Sequence, residues 1–143
     1  MTNTTEYLTF LHTAAIDARN GYREAMKEAE GKGLAPLFVE LAGLHERHAT
    51  QLSALLTDRG QVPDRDGSFM TVVHKTIMDV RSLFGGLDES VLPGLIDGEK
   101  RNIAKYDEAL KEPGEDKVQD ILGRQRAELS TAIDKMSAMK AST

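Results

Sequence analysis

Four segments of the chain carry inward-facing residues at alternating spacings of three and four, and this pattern constrains the fold most strongly. Each such stripe, here called a seam, is what one helix presents to the interior of a helical bundle. The seams are Leu8, Leu11, Ala15, Ala18, Tyr22, Ala25 and Ala29; Leu34, Phe38, Leu41, His45, His48, Leu52 and Leu55; Leu92, Ile96, Glu99, Ile103, Tyr106 and Leu110; and Val118, Leu122, Gln125, Leu129, Ala132, Met136 and Met139. No segment alternates with a period of two, so the sequence predicts an all-α protein.

Glycine and proline clusters divide the chain at 31–33, 60–68, 85–86 and 113–114. They predict core helices over about 4–30, 34–59, 88–111 and 115–139, in a single domain spanning residues 1–143. Short turns make the first two core helices, and likewise the last two, antiparallel hairpins. The connection between the hairpins is long enough to run the length of the bundle, and it is predicted to carry a shorter helix over about 68–84. Pro93 predicts that the third core helix starts late or bends.

Composition excludes several classes of partner. The net charge of the 143 residues is -5, and acidic and basic residues are interspersed, so no basic face is expected for nucleic acid or for anionic lipid. The chain has no cysteine, no signal-peptide pattern and no apolar run long enough to span a membrane. We therefore expect a cytoplasmic protein.

Four polar residues interrupt the apolar seams. His45 and His48 lie three apart on the second seam, Glu99 lies on the third and Gln125 on the fourth. Counting residues from the hairpin turns places all four at one level in the middle of the bundle. Burial of such groups is costly unless they satisfy one another, so a reason for keeping them is expected.

Two interpretations of this level remain open. His45 and His48 share a helix face and, with Glu99, suit one iron, zinc or manganese ion, with Gln125 and Tyr22 as surrounding residues. Alternatively, the same side chains form a metal-free, hydrogen-bonded core network. The HERH stretch does not match the HExxH motif of zinc proteases, in which the histidines are four apart. His12 and His74 lie beside the apolar stripes and are expected at the boundary of the core.

The stretches DARNGY, LAGLHERHA and DGEK resemble ferritin-like proteins of the rubrerythrin type. That resemblance implies a ferritin-like four-helix bundle, in which the glutamate of the first helix is replaced by Ala15 and the last Glu-x-x-His motif by Leu122 and Gln125. Of the six ligands of the family pattern, it leaves three potential ones, His45, His48 and Glu99. A di-iron centre needs bridging carboxylates, so ordinary ferroxidase or peroxidase activity is not expected.

Over nearly the whole chain, including GYREA and GEKRNIAKYDEAL, the sequence looks still more like a bacterial family of small ferritin-like bundle proteins described only as a domain of unknown function. Some relatives in that family are linked to stress responses.

The sequence favours a bundle protein without enzymatic activity. A metal-dependent oxidoreductase acting on oxygen or peroxide is one alternative. The other is an interaction protein with an unknown partner, because Leu37, Leu44 and Leu56 form a second apolar line that is either covered by the crossover helix or used in a homodimer.

Overall fold

A computed structural model describes residues 4–28, 34–62 and 91–141 as four helices with short flanking turns. The helices are α1 (Thr4–Glu28), α2 (Ala35–Asp58), α3 (Leu92–Lys111) and α4 (Asp116–Ala141). These ranges contain no strand, so the predicted all-α fold with four long helices is confirmed for this part of the chain. The crossover helix expected over 68–84, together with His74, lies outside the described residues.

Two helices begin with a proline in their first turn. Pro36 in α2 and Pro93 in α3 each occupy the second helical position. A backbone N–H there has no intrahelical acceptor, so the N–H that proline lacks costs no hydrogen bond. Neither helix has a side-chain cap, because Leu34 and Val91 stand at the N-cap positions. Pro93 therefore marks the start of α3 and does not bend it.

Gly60 ends α2 in a left-handed conformation, with a φ of 79°. The N–H of Gln61 donates to the carbonyl of Leu56 at 3.0 Å, and the N–H of Gly60 donates to that of Thr57 at 2.9 Å. This pair of bonds is the Schellman arrangement, which satisfies carbonyls left free at a helix end. It requires a residue that tolerates positive φ, as glycine does.

The helices pack side by side, most extensively α1 against α2 and α3 against α4. Lys117 pairs with Asp58 at 3.1 Å at one end of the α2–α4 contact, and Lys135 pairs with Glu40 at the other end. These two ion pairs show that α2 and α4 run antiparallel. The α1–α3 contact places Lys105 over the ring of Phe10, 5.3 Å from its centroid.

The described seam residues are all buried or half-buried, as predicted. The second apolar line on α2, formed by Leu37, Leu44 and Leu56, is buried within the single chain as well. These three side chains are therefore not exposed in the described structure. No helix in the described ranges is long and apolar enough to cross a membrane.

Candidate functional site

Seven polar side chains meet in the middle of the bundle and are here called the central cluster. It consists of Tyr22, His45, His48, Glu99, Tyr106, Gln125 and Glu128. The predicted convergence of His45, His48, Glu99 and Gln125 is observed, and all four are buried. Because each lies on the inward stripe of its helix, the spacing of apolar residues alone directs them to one another.

The pair of His45 and Glu99 is sealed from solvent. Nε2 of His45 lies 3.0 Å from Oε2 of Glu99, and the two side chains are 0% and 2% exposed. The pair joins α2 to α3, which make little other contact with each other, so it crosses the centre of the bundle. Nε2 is the ring nitrogen of His45 that contacts the carboxyl group, whereas its Nδ1 has no partner in the described part of the chain.

Tyr22 packs against the face of the His45 ring. The two rings are nearly parallel, with an interplanar angle of 15° and 5.6 Å between their centroids, and Tyr22 also stacks with Phe38 at a centroid distance of 6.3 Å. Burial, and after it the charge of Glu99, holds the pKa of Tyr22 well above its usual range. The expectation that Tyr22 hydrogen-bonds within the network is wrong for the described residues, because its buried hydroxyl has no partner there. Tyr22 contacts the cluster through ring stacking instead.

His48 pairs with Glu128, a residue that the sequence analysis missed. Nε2 of His48 lies 3.3 Å from Oε1 of Glu128; the histidine side chain is 1% exposed and the glutamate side chain 39%. Burial, and after it the neighbouring His45, lowers the pKa of His48 to about 4, against the opposing effects of Glu128 and Glu99. His48 is therefore neutral near pH 7. Its ring meets that of His45 edge-on, at 6.0 Å between centroids.

A signal for Glu128 was present in the sequence. Gln125 and Glu128 lie three residues apart on α4, the same spacing as His45 and His48 on α2. Residues three apart share a helix face, so a seam residue at 125 brings position 128 toward the same level. Glu128 was overlooked because the apolar seam passes through its neighbour Leu129.

Gln125 connects the cluster by using both ends of its amide. Its Oε1 accepts a 2.6 Å hydrogen bond from the hydroxyl of Tyr106, and its Nε2 donates to Oε1 of Gln51 at 2.8 Å and to the backbone carbonyl of His48 at 3.4 Å. Burial, and then the charges of Glu99 and Glu128, raises the pKa of Tyr106, so its hydroxyl remains a donor. These contacts fix the orientation of the buried amide.

The residues beside the cluster have different roles. Glu46, between the two histidines in HERH, is 44% exposed and pairs with Arg19 at 2.9 Å and Arg23 at 3.2 Å. It points away from the histidines, which agrees with the exclusion of a zinc-protease motif. His12 was expected at the boundary, but it is only 4% exposed and thus belongs to the core.

The donor atoms of the cluster suit a transition-metal ion, but they are arranged as two pairs. Imidazole nitrogen and carboxylate oxygen are donors that zinc, iron and manganese accept. As the side chains stand, the described ranges contain no group of three or more His, Cys, Asp or Glu residues arranged to hold a metal ion. Ala15 and Leu122, which the sequence resemblance aligns with glutamates, are buried and supply no donor.

Over residues 4–28, 34–62 and 91–141, the fold and the central cluster define an all-helical arrangement of four helices with two imidazole–carboxylate pairs in its interior. Residues 3–112 match the family model described as Domain of unknown function (DUF2383), and the chain belongs to this family. The match covers α1 to α3, and with them His45, His48 and Glu99, whereas Gln125 and Glu128 lie beyond it on α4. Comparison with the curated proteins, and separately with the solved structures, gives no significant match.

Proposed function

We propose that this protein is a ferritin-like bundle that binds one transition-metal ion, namely iron, zinc or manganese, through His45, His48 and Glu99. The observation that carries the proposal is the buried pair of His45 and Glu99, an imidazole and a carboxylate that meet at 3.0 Å with no access to water. Gln125 orients the backbone at His48, and Tyr22 holds the ring of His45. The ion would supply a fixed positive charge to groups that are otherwise costly to bury.

The distances within the pairs support this proposal. Two donors that share one ion at bond lengths of about 2.0–2.2 Å are separated by roughly 3.0–3.5 Å. The N–O distances of 3.0 Å in the His45–Glu99 pair and 3.3 Å in the His48–Glu128 pair fall in this range. A neutral imidazole binds an ion through a ring nitrogen that carries no proton, so in each pair Nε2 would be the ligand atom with the ring proton on Nδ1.

The spacing of the two histidine rings supports a shared ion. Two imidazoles on one tetrahedral ion have ring centroids roughly 5 Å apart, given a metal–nitrogen bond of about 2.0 Å. The centroids of His45 and His48 are 6.0 Å apart, so a shift of about 1 Å brings both rings within reach of one ion. In that arrangement Glu128, now paired with His48, becomes a fourth donor or exchanges its place with water.

The ferritin-like part of the proposal rests on how the helices connect. α2 and α3 both run antiparallel to α4, so both begin at the end of the bundle where α4 finishes. Residue 62, just after α2, and residue 91, just before α3, therefore lie toward opposite ends of the bundle. Two hairpins joined by a connection of this kind define the ferritin-like arrangement. Oxygen or peroxide chemistry is not proposed, because the described interior supplies no pair of bridging carboxylates at positions 15 and 122.

The test is metal content and affinity in tag-free protein. We expect near-stoichiometric iron, zinc or manganese by elemental mass spectrometry, lost in His48→Ala and Glu99→Gln and retained in Glu46→Gln. Glu46 is the matched control because it lies between the histidines in sequence but points outward. Glu99→Gln keeps the shape of the side chain and removes its charge.

A metal-free wild type that also ignores added iron, zinc and manganese in calorimetry would refute the proposal. The central cluster would then be a structural hydrogen-bonded network. Equal metal content in wild type and both ligand variants would show that any bound ion lies elsewhere on the protein. Turnover of oxygen or peroxide by the iron-loaded protein would instead favour an oxidoreductase.

A further inference from the structure

The two imidazole–carboxylate pairs differ in their access to solvent. Glu99 and Glu128 each lie within hydrogen-bonding distance of a buried histidine ring, but the side chain of Glu99 is 2% exposed and that of Glu128 is 39% exposed. Glu128 therefore contacts both solvent and the buried His48. Glu128 thus gives the central cluster a polar connection to the surface at the contact between α2 and α4.

Resting on the proposed function, we infer that a divalent cation reaches the histidines through the α2–α4 contact, with Glu128 as the carboxylate that takes it from solvent to His48. Glu128 thus acts as an uptake residue, and the buried Glu99 acts as the final ligand.

A second polar link at the same contact supports this route. Gln51 on α2 is exposed, and its amide oxygen accepts a 2.8 Å hydrogen bond from the buried Gln125 on α4. An amide and a carboxylate thus line the α2–α4 contact at the level of the cluster. Polar oxygens of this kind can replace the water molecules that a cation loses as it leaves solvent.

On the opposite side of the cluster, the described contacts are of a different kind. There the buried ring of Tyr22 covers His45, and outside it Arg19 pairs with Glu46. Arg23 pairs with the same carboxylate, so two guanidinium groups share the one negative charge of Glu46 on this side and repel a cation, whereas Glu128 attracts one. Charge and packing therefore both favour uptake from the α2–α4 side.

The test measures the rate of cobalt(II) uptake by the full-length, metal-stripped protein in stopped-flow absorbance. Glu128→Gln is expected to lower the association rate constant about fivefold, since charge of one sign that lines an entry route raises such rates by roughly tenfold or more. Glu46→Gln is the matched control. Its carboxylate is similarly exposed, at 44% against 39%, and lies at the same level but on the α1–α2 side. We expect its rate to stay within about twofold of wild type.

The outcomes separate this inference from the proposed function. If wild type binds cobalt and Glu128→Gln loads at the wild-type rate, the uptake route is wrong while the metal site stands. A faster dissociation with an unchanged association rate would make Glu128 only a static ligand, which also overturns the inference. If wild type binds no cobalt, both fail. Glu128→Asp, which keeps the charge, should recover most of the rate and guards against an effect of altered folding.

Discussion

Replacing Glu99 alone by leucine should destabilise the protein more than replacing Glu99 and His45 together. The reason lies in the pairing of the two side chains. Glu99 is the described partner of Nε2 of His45, and Nδ1 of the same ring has none among the described residues. Glu99→Leu therefore leaves a fully buried imidazole with neither nitrogen satisfied, whereas the double variant removes the stranded group as well.

The expected size follows from the burial of the pair. Leaving a neutral buried group without its partner costs about 1–3 kcal/mol, and breaking a buried ion pair costs about 3–5 kcal/mol. His45 is 0% exposed and cannot turn to water, so we expect a loss near 3 kcal/mol for Glu99→Leu. Replacing both members of such a pair by apolar residues is often neutral or stabilising, so we expect the His45→Leu/Glu99→Leu variant to lie within about 1 kcal/mol of wild type.

The assay is urea unfolding followed by far-UV circular dichroism, with a chelator present so that metal binding does not contribute. The two single variants, the double variant and wild type form a double-mutant cycle. Glu46→Leu serves as the control, because it removes a half-exposed carboxylate whose ion pair with Arg19 should be worth at most about 1 kcal/mol.

Additive effects of the two single changes would refute this reasoning. A double variant whose loss of stability equals the sum of the two single losses would mean that the pair contributes no coupling, and that the two side chains matter only for the space they fill. A coupling free energy of about 3 kcal/mol or more would show that the pair forms as described.

Three further predictions concern stability in the presence of a chelator. Lowering the pH from about 6.5 toward 4 should destabilise the protein. The pKa of His48 is 6.5 in the unfolded chain and about 4 in the folded chain, so in this pH range the unfolded chain binds a proton at His48 that the folded chain does not. The slope, measured by urea unfolding at several pH values, should approach about 1.4 kcal/mol per pH unit and flatten in His48→Gln. Gly60→Ala should destabilise the protein by about 1–2 kcal/mol, because the backbone at Gly60 has a positive φ. Gly123→Ala should stabilise it by about 0.5–1 kcal/mol, because Gly123 lies inside α4 with open space around it. Equal effects of the two changes in thermal unfolding would contradict this prediction. Leu129→Ala, at a fully buried position, should cost about 3 kcal/mol in urea unfolding, and a loss below 1 kcal/mol would show a loosely packed site.

The fold was largely predictable because the helical period is visible in the sequence. Alternating spacings of three and four identified the buried face of each helix, and the described seam residues, including the polar His45, His48, Glu99 and Gln125, are inward. Pro36 and Pro93 marked helix starts, and Gly60 marked a helix end, through backbone geometry that depends on single residues. Local rules of this kind need no knowledge of neighbouring helices.

The pairing within the site was not predictable to the same extent. Periodicity indicates that a side chain faces inward, but it does not indicate which of several partners it meets. His48 was expected near Glu99 and instead contacts Glu128, which lies at the edge of its helix stripe. Tyr22 was expected to use its hydroxyl and instead uses its ring. Such choices depend on the rotation of each helix about its axis, which a one-residue shift in the stripe changes by about 100°.

The central cluster has features that stability alone does not explain. Three of its buried polar atoms, the hydroxyl of Tyr22 and Nδ1 of both histidines, have no hydrogen-bond partner in the described structure. Each should cost about 1–3 kcal/mol relative to a satisfied group, and phenylalanine or leucine at these positions would avoid that cost. A core selected only for packing would not retain three such atoms on adjoining rings. Metal binding at Nε2 gives the two histidines a function that offsets the cost, and the metal analysis of His48→Ala and Glu99→Gln decides between this explanation and a purely structural network.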